Sequence, residues 1–101
     1  MVLELTIIPL ASGRSMSGDI AGLVEIFEAS GLDYRMTAFG TLIEGTWDQL
    51  MDVAKRCHLE IRTKSERVLT MMRLDDYGER RGEIEGAVNR VEKKLGRPVK
   101  K

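Results

Sequence analysis

Glu44 stands between Ile43 and Gly45 in a run that is otherwise apolar or small, Gly40-Thr41-Leu42-Ile43-Glu44-Gly45. A carboxylate desolvated in such a strand needs a cation or hydrogen-bond donors. A ligand amine or an aminopyrimidine supplies both. Glu44 can equally face outward, exposed or paired with Arg35 or Arg73, and spacing leaves both readings open. Gly40 suits a turn, and Gly45, without a side chain, admits close approach by a ligand or by backbone. Both glycines can also simply relieve turn geometry. A second polar group, Ser15 and Ser17 between Gly13 and Gly18, precedes a predicted helix. Hydroxyls, free N–H groups and the helix dipole there can hold an anionic or polar group. Capping by Ser17 accounts for the same residues without a ligand.

Arg73-Leu74-Asp75-Asp76 brings mixed charge to the end of a strand. Arg73 can neutralise Glu44 or hold a phosphate. Asp75 and Asp76, adjacent on a strand, point to opposite faces and do not suit one metal ion. Turn and capping roles fit them better. His58 is the only histidine and has no cysteine or acidic cluster at ligand spacing, so neither a metal centre nor a Ser-His-Asp arrangement is expected. Neither phosphate-binding glycine motif is present. Cys57, the only cysteine, excludes an intramolecular disulfide and a Cys-rich metal site. Its helical neighbours Ala54 and Ile61 imply a buried thiol. No catalytic residue is assigned.

These groups need elements to position them. Val2–Leu10 alternates, with Leu3, Leu5 and Ile7 on one face, and reads as a strand with Pro9 near its end. Ile20, Leu23, Val24 and Phe27 recur at helical spacing, with Ser17 or Asp19 as cap and Gly31 as stop. Tyr34–Phe39 and Leu42–Thr46 read as antiparallel strands joined by a tight turn at Gly40-Thr41. A second helix runs from Trp47 to about Arg62, with Trp47, Leu50, Met51, Ala54, Cys57, His58 and Ile61 inward. Val68–Leu74 is a fourth strand. A last helix, about Glu79 to Leu95, carries Ile84, Val88, Val91 and Leu95 on one stripe and ends at Gly96.

The order β-α-β-β-α-β plus a helix predicts an α+β, ferredoxin-like domain: a four-stranded antiparallel sheet with two helices on one face. Residues 1–96 form the domain and 97–101 a basic tail, read as a solvated terminus. The uncovered face should carry Ile8 and whichever of Tyr34, Met36, Phe39, Met71 and Met72 point outward. Such a patch favours pairing with another copy of the chain. At 101 residues and 43% hydrophobic content the chain can form one core, though a marginal one. The 16 basic residues balance 16 acidic ones, which argues against a nucleic-acid partner. No apolar stretch is long enough to span a membrane, and no secretory signal is legible, so the cytoplasm is the expected compartment.

Ile8-Pro9-Leu10, Ser15-Met16-Ser17, Gly31-Leu32-Asp33-Tyr34, Gly40-Thr41-Leu42-Ile43-Glu44-Gly45, Arg67-Val68, Arg73-Leu74-Asp75-Asp76 and Val91-Glu92-Lys93-Lys94-Leu95 occur in an order and spacing that resemble the thiamine-binding-protein-like family. The resemblance spans nearly the whole chain, and G-T-x-I-E-G is its most specific part. It implies subunits paired through their sheets, as homodimers or homotetramers. It also implies binding of thiamine or its hydroxymethylpyrimidine part without turnover and without a required cofactor. Carried onto this chain, it places Ser15, Ser17, Thr41, Glu44 and Arg73 at the ligand. The chain differs from the family pattern at Gly18-Asp19-Ile20, at Ala38-Phe39 and at Tyr77, where an arginine is usual. A structural or regulatory oligomer that binds no ligand is the competing expectation.

Overall fold

The computed structural model describes residues 1–11 and 16–101. The chain folds as β1 (Val2–Pro9), α1 (Met16–Ser30), β2 (Asp33–Thr37), β3 (Gly40–Glu44), α2 (Trp47–Arg62), β4 (Val68–Asp75) and α3 (Glu83–Leu95). The four strands form one sheet in the order β2-β3-β1-β4, with every neighbouring pair antiparallel. This is the α+β, ferredoxin-like architecture that the element order predicts, with α3 as the addition.

Alternation along β1 sorts the sheet into two faces. Leu3, Leu5 and Ile7 are buried against Leu23 and Phe27 of α1 and Leu50, Val53, Ala54, Cys57 and Ile61 of α2, with Ile43 of β3 completing the core. Full burial of each such aliphatic or aromatic side chain is worth about 1.5–3 kcal/mol. Val2, Glu4, Thr6 and Ile8 alternate with them and face the other way.

Register assigns the remaining strand residues. Thr41 and Ile43 share the helix-covered face, while Leu42 and Glu44 lie on the opposite one. Tyr34 and Met36 oppose Ile43 and Thr41 and so belong to the covered face, where Tyr34 packs its ring 5.6 Å from that of Phe27. Met72, opposite Leu5, also falls on the covered side. Of the residues expected on the uncovered face, Ile8 and Met71 are there, joined by Leu42 and Leu69.

Local chemistry moves several boundaries. The β2–β3 turn is Ala38-Phe39, two residues before the expected Gly40-Thr41. Thr37 Oγ1 accepts from the Phe39 N–H at 3.1 Å and donates to the Gly40 carbonyl at 2.8 Å. Phe39, at the tip, is 85% exposed. Gly40 has φ 151°, and a Cβ there would lie 2.6 Å from Thr6 Oγ1 and 2.9 Å from the Leu5 carbonyl, so the hairpin closes over β1 only with glycine.

Helix α2 begins in a capping box. The Gln49 N–H reaches Thr46 Oγ1 at 3.3 Å, and Gln49 Oε1 accepts from the Thr46 N–H at 2.9 Å. Trp47, expected inward, is 55% exposed, and Val53, outside the expected inward set, is buried in the core. His58 is half-buried, with Nδ1 2.6 Å from Thr70 Oγ1 of β4. Helix α1 already includes Ser17 and Asp19 in its first turn, so neither is the N-cap residue.

Helix α3 starts at Glu83, four residues later than expected, because Gly78 and Gly82 both take left-handed conformations, φ 78° and 68°. After α3 the tail folds back. The Val99 N–H and the Lys101 ammonium both donate to Glu92 Oε2, at 2.9 and 2.7 Å. Among the described residues no helix is long and apolar enough to cross a membrane.

Candidate functional site

Glu44 ends β3 on the face that α1 and α2 leave uncovered, and the N-terminus of α3 lies over it. Its Oε2 accepts from the Tyr77 hydroxyl at 2.5 Å and from the Glu83 N–H at 3.0 Å. Its Oε1 accepts from the Ile84 N–H at 3.3 Å. Glu83 and Ile84 are the first residues of α3, and their amides have no partner within the helix. Gly82 contributes no capping side chain, so the tertiary carboxylate of Glu44 takes the cap's place. Neither Arg35 nor Arg73 pairs with it. Arg35 donates to Asp33 at 2.5 Å and also to Glu85, while Arg73 reaches Glu4 at 3.0 Å from an exposed position.

Burial works to raise the pKa of Glu44, yet the Glu83 amide, the Tyr77 hydroxyl, the Ile84 amide and the terminal ammonium together hold it below the ordinary carboxylate value. Tyr77 moves the other way. Burial, then the hydrogen bond to Glu44 and the charges of Glu44, Glu83 and Asp75, keep its phenol protonated well above the usual range. The Arg80 guanidinium stands 5.5 Å from the centre of the Tyr77 ring. Glu83 is gripped by Arg90 in a fork, 3.0 and 2.6 Å, and this pairing holds it in its charged form despite partial burial.

Beside this cluster a cleft of about 530 Å³ opens between α3 and the sheet. Val2, Leu42, Ile84, Ala87 and Val88 form its apolar wall, and Arg73, Tyr77 and Glu83 its polar rim. The paired Glu4 and Arg73 line both this cleft and a second depression of about 620 Å³, which runs to Met71, Met72 and Phe39.

The expected site residues do not converge within one chain. Thr41 is buried on the opposite face from Glu44, at a pocket of about 150 Å³ bounded by Ile20, Leu23, Phe27, Met36 and Phe39. Ser17 is exposed in the first turn of α1, and Ser15 lies outside the described residues. Only Glu44 and Arg73 share the uncovered face. Gly45 is approached by the chain itself: a Cβ there would lie 3.0 Å from Gln49 Oε1 and 3.3 Å from Leu32 Cδ1. Asp76 accepts from the Gly78 N–H at 3.1 Å, a turn role. Among the described residues no group of three or more His, Cys, Asp or Glu side chains is placed to hold a metal ion.

Tyr77 and the α3 amides escaped sequence reasoning, since they lie 33 to 40 residues from Glu44. The available signal was the pair Gly78 and Gly82 before an amphipathic helix that lacks a capping side chain.

Comparison with known proteins fits this architecture. The family model described as thiamine-binding protein matches residues 3–92. The UPF0045 protein MJ1052 of Methanocaldococcus jannaschii is 29% identical, and its crystal structure superposes with a TM-score of 0.77 over 94% of each chain. A UPF0045 protein of Methanothermobacter thermautotrophicus is 32% identical over 91% of this chain and 96% of its own. A Thermotoga maritima structure, provisionally assigned to thiamine biosynthesis or salvage, superposes with a TM-score of 0.70 at 17% identity, over 89% of this chain and 96% of that one, which speaks for the fold alone. With the match running from the second residue of β1 to the last turn of α3, the chain belongs to the thiamine-binding protein family.

Proposed function

We propose that the protein is a non-catalytic small-molecule binder whose ligand is thiamine or its hydroxymethylpyrimidine moiety, recognised by Glu44. The observation that carries this reading is a half-buried carboxylate whose donors, Tyr77, Glu83 and Ile84, line the adjoining apolar cleft, in a member of this family. A carboxylate pairs with an aminopyrimidine through two parallel, charge-assisted hydrogen bonds. Of the two faces, the Glu44 side offers about 530 Å³, within the ~300–1,000 Å³ of ordinary ligand sites, whereas the Thr41 side offers about 150 Å³. Glu44 is therefore the recognition group and Arg73 a rim contact, with Ser17 and Thr41 outside this site. Calorimetric titration with thiamine and with hydroxymethylpyrimidine tests the reading. Saturable heat with either supports it, and none with both, from wild type and from Tyr77→Phe alike, refutes it.

The same face is the proposed surface for self-association. Leu42, Ile8, Leu69 and Met71 line it, and α3 buries none of its residues, leaving Val91 and Leu95 half exposed. Apolar area of this extent favours a homodimer or homotetramer. A second reading, an oligomer without a ligand, has one specific observation in its favour. Every donor on Glu44 comes from the chain itself, so the carboxylate also makes sense as a purely structural cap.

A further inference from the structure

Glu44 holds three donors, and all of them belong to α3 or to the segment that leads into it. A carboxylate has about four acceptor positions in all. A ligand that takes two parallel hydrogen bonds on Glu44 must therefore remove at least one of these donors. The Ile84 amide, at 3.3 Å, is the longest of the contacts.

The segment that would have to move is lightly held. Helix α3 buries no residue. Its second polar tether to the sheet is the exposed pair of Glu85 with Arg35. The connection from β4 contains Gly78 and Gly82, both at left-handed φ and both with open space where a Cβ would stand. Two such residues let the chain pivot without steric cost. The cleft beside Glu44 takes Ile84, Ala87 and Val88 from α3 as one of its walls, so lifting the helix widens the cleft.

We propose that the first turn of α3, together with Tyr77, is a displaceable strap over Glu44, and that ligand binding at Glu44 requires its release. The strap rests on the reading of Glu44 as the ligand carboxylate. Release leaves the first turn of α3 uncapped, because Gly82 offers no substitute, so binding is coupled to local opening of that helix. Tyr77 acts as a competitor for the ligand. Removing its hydroxyl weakens the strap while sparing the carboxylate, and so tightens binding.

Two measurements on the full chain test this, with thiamine and hydroxymethylpyrimidine as probes. In hydrogen–deuterium exchange, saturating ligand should lower protection at the Glu83 and Ile84 amides by roughly tenfold, the factor expected for losing a helix cap, while β1 and α2 stay protected. In calorimetry, Tyr77→Phe should bind about three- to tenfold more tightly than wild type, the equivalent of one lost hydrogen bond. Binding to wild type with α3 protection unchanged or increased, or a Tyr77→Phe variant that binds no more tightly, overturns the strap and leaves the ligand reading intact. Heat from neither protein overturns the ligand reading, and the strap falls with it. Heat from Tyr77→Phe alone supports both.

Discussion

Thr41 and Glu44 sit on one strand and face opposite sides of the sheet, Thr41 toward the helices and Glu44 toward the uncovered face. A separation of three residues on a strand places side chains on different faces. One ligand molecule inside one chain cannot touch both. Thr41→Val should therefore leave calorimetric affinity for thiamine within about twofold of wild type, because no polar contact at the Glu44 cleft is lost. A tenfold loss would move the ligand to the other face.

Protonation of Glu44 has a definite sign. Its folded-state pKa lies below the ordinary carboxylate value of 4.5, so its contribution to stability is present above that value and is lost as pH falls through the lower folded-state value. Urea midpoints of wild type and Glu44→Gln, followed from pH 7 to pH 3, should converge at the acid end. Parallel curves would mean that the carboxylate gains nothing from the α3 amides. Tyr77 is shifted upward, so the phenol should ionise later than its ordinary 10.0 in an absorbance titration, and earlier in Glu44→Gln than in wild type.

The two glycines that bracket the G-T-x-I-E-G run should differ in their response to alanine. At Gly40 the new Cβ meets Thr6 Oγ1 at 2.6 Å and the Leu5 carbonyl at 2.9 Å, at a backbone angle that suits glycine. Gly40→Ala should cost about 1–3 kcal/mol in urea denaturation. At Gly45 the Cβ meets the movable end of Gln49 at 3.0 Å and a Leu32 methyl group at 3.3 Å, so Gly45→Ala should cost less than Gly40→Ala. Equal losses would show that the hairpin does not close over β1 as described.

Cys57 is fully buried in the core, and burial pushes its thiol up to about 12. The thiolate is the reactive form. Alkylation by iodoacetamide at pH 7.5 should be more than about 100-fold slower in the native protein than in urea, since labelling then requires unfolding. Rapid native labelling would contradict this packing.

Much of the fold was legible because it rests on local alternation. Leu3, Leu5 and Ile7 announced the covered face, and the helical spacing of Leu50, Ala54, Cys57 and Ile61 announced α2. Trp47 misled because, as the first residue of α2, it is more than half exposed, while Leu50 and Val53 reach the core. The site was less legible. Glu44 could be marked as a carboxylate in need of donors, but those donors are backbone amides of a distant helix, which no spacing rule reports. The start of α3 was placed too early for a related reason: Gly78 and Gly82 break the chain before an otherwise helical stretch.

Self-association through the uncovered face gives a further test. Light scattering at micromolar concentration should return a dimer or tetramer mass for wild type and a lower mass for Met71→Lys, which places a charge among Leu69, Ile8 and Leu42. A monomer mass for wild type would leave that apolar face without its proposed cover.

The most direct test of the ligand reading is thiamine calorimetry on wild type beside Glu44→Gln, with circular dichroism showing that both are folded. The amide keeps the shape of the side chain but loses its charge and one of its acceptors. Affinity should fall by roughly 10- to 100-fold, the value of a charge-assisted hydrogen bond. Binding of equal strength in the two proteins would remove Glu44 from ligand recognition and leave it as the cap of α3.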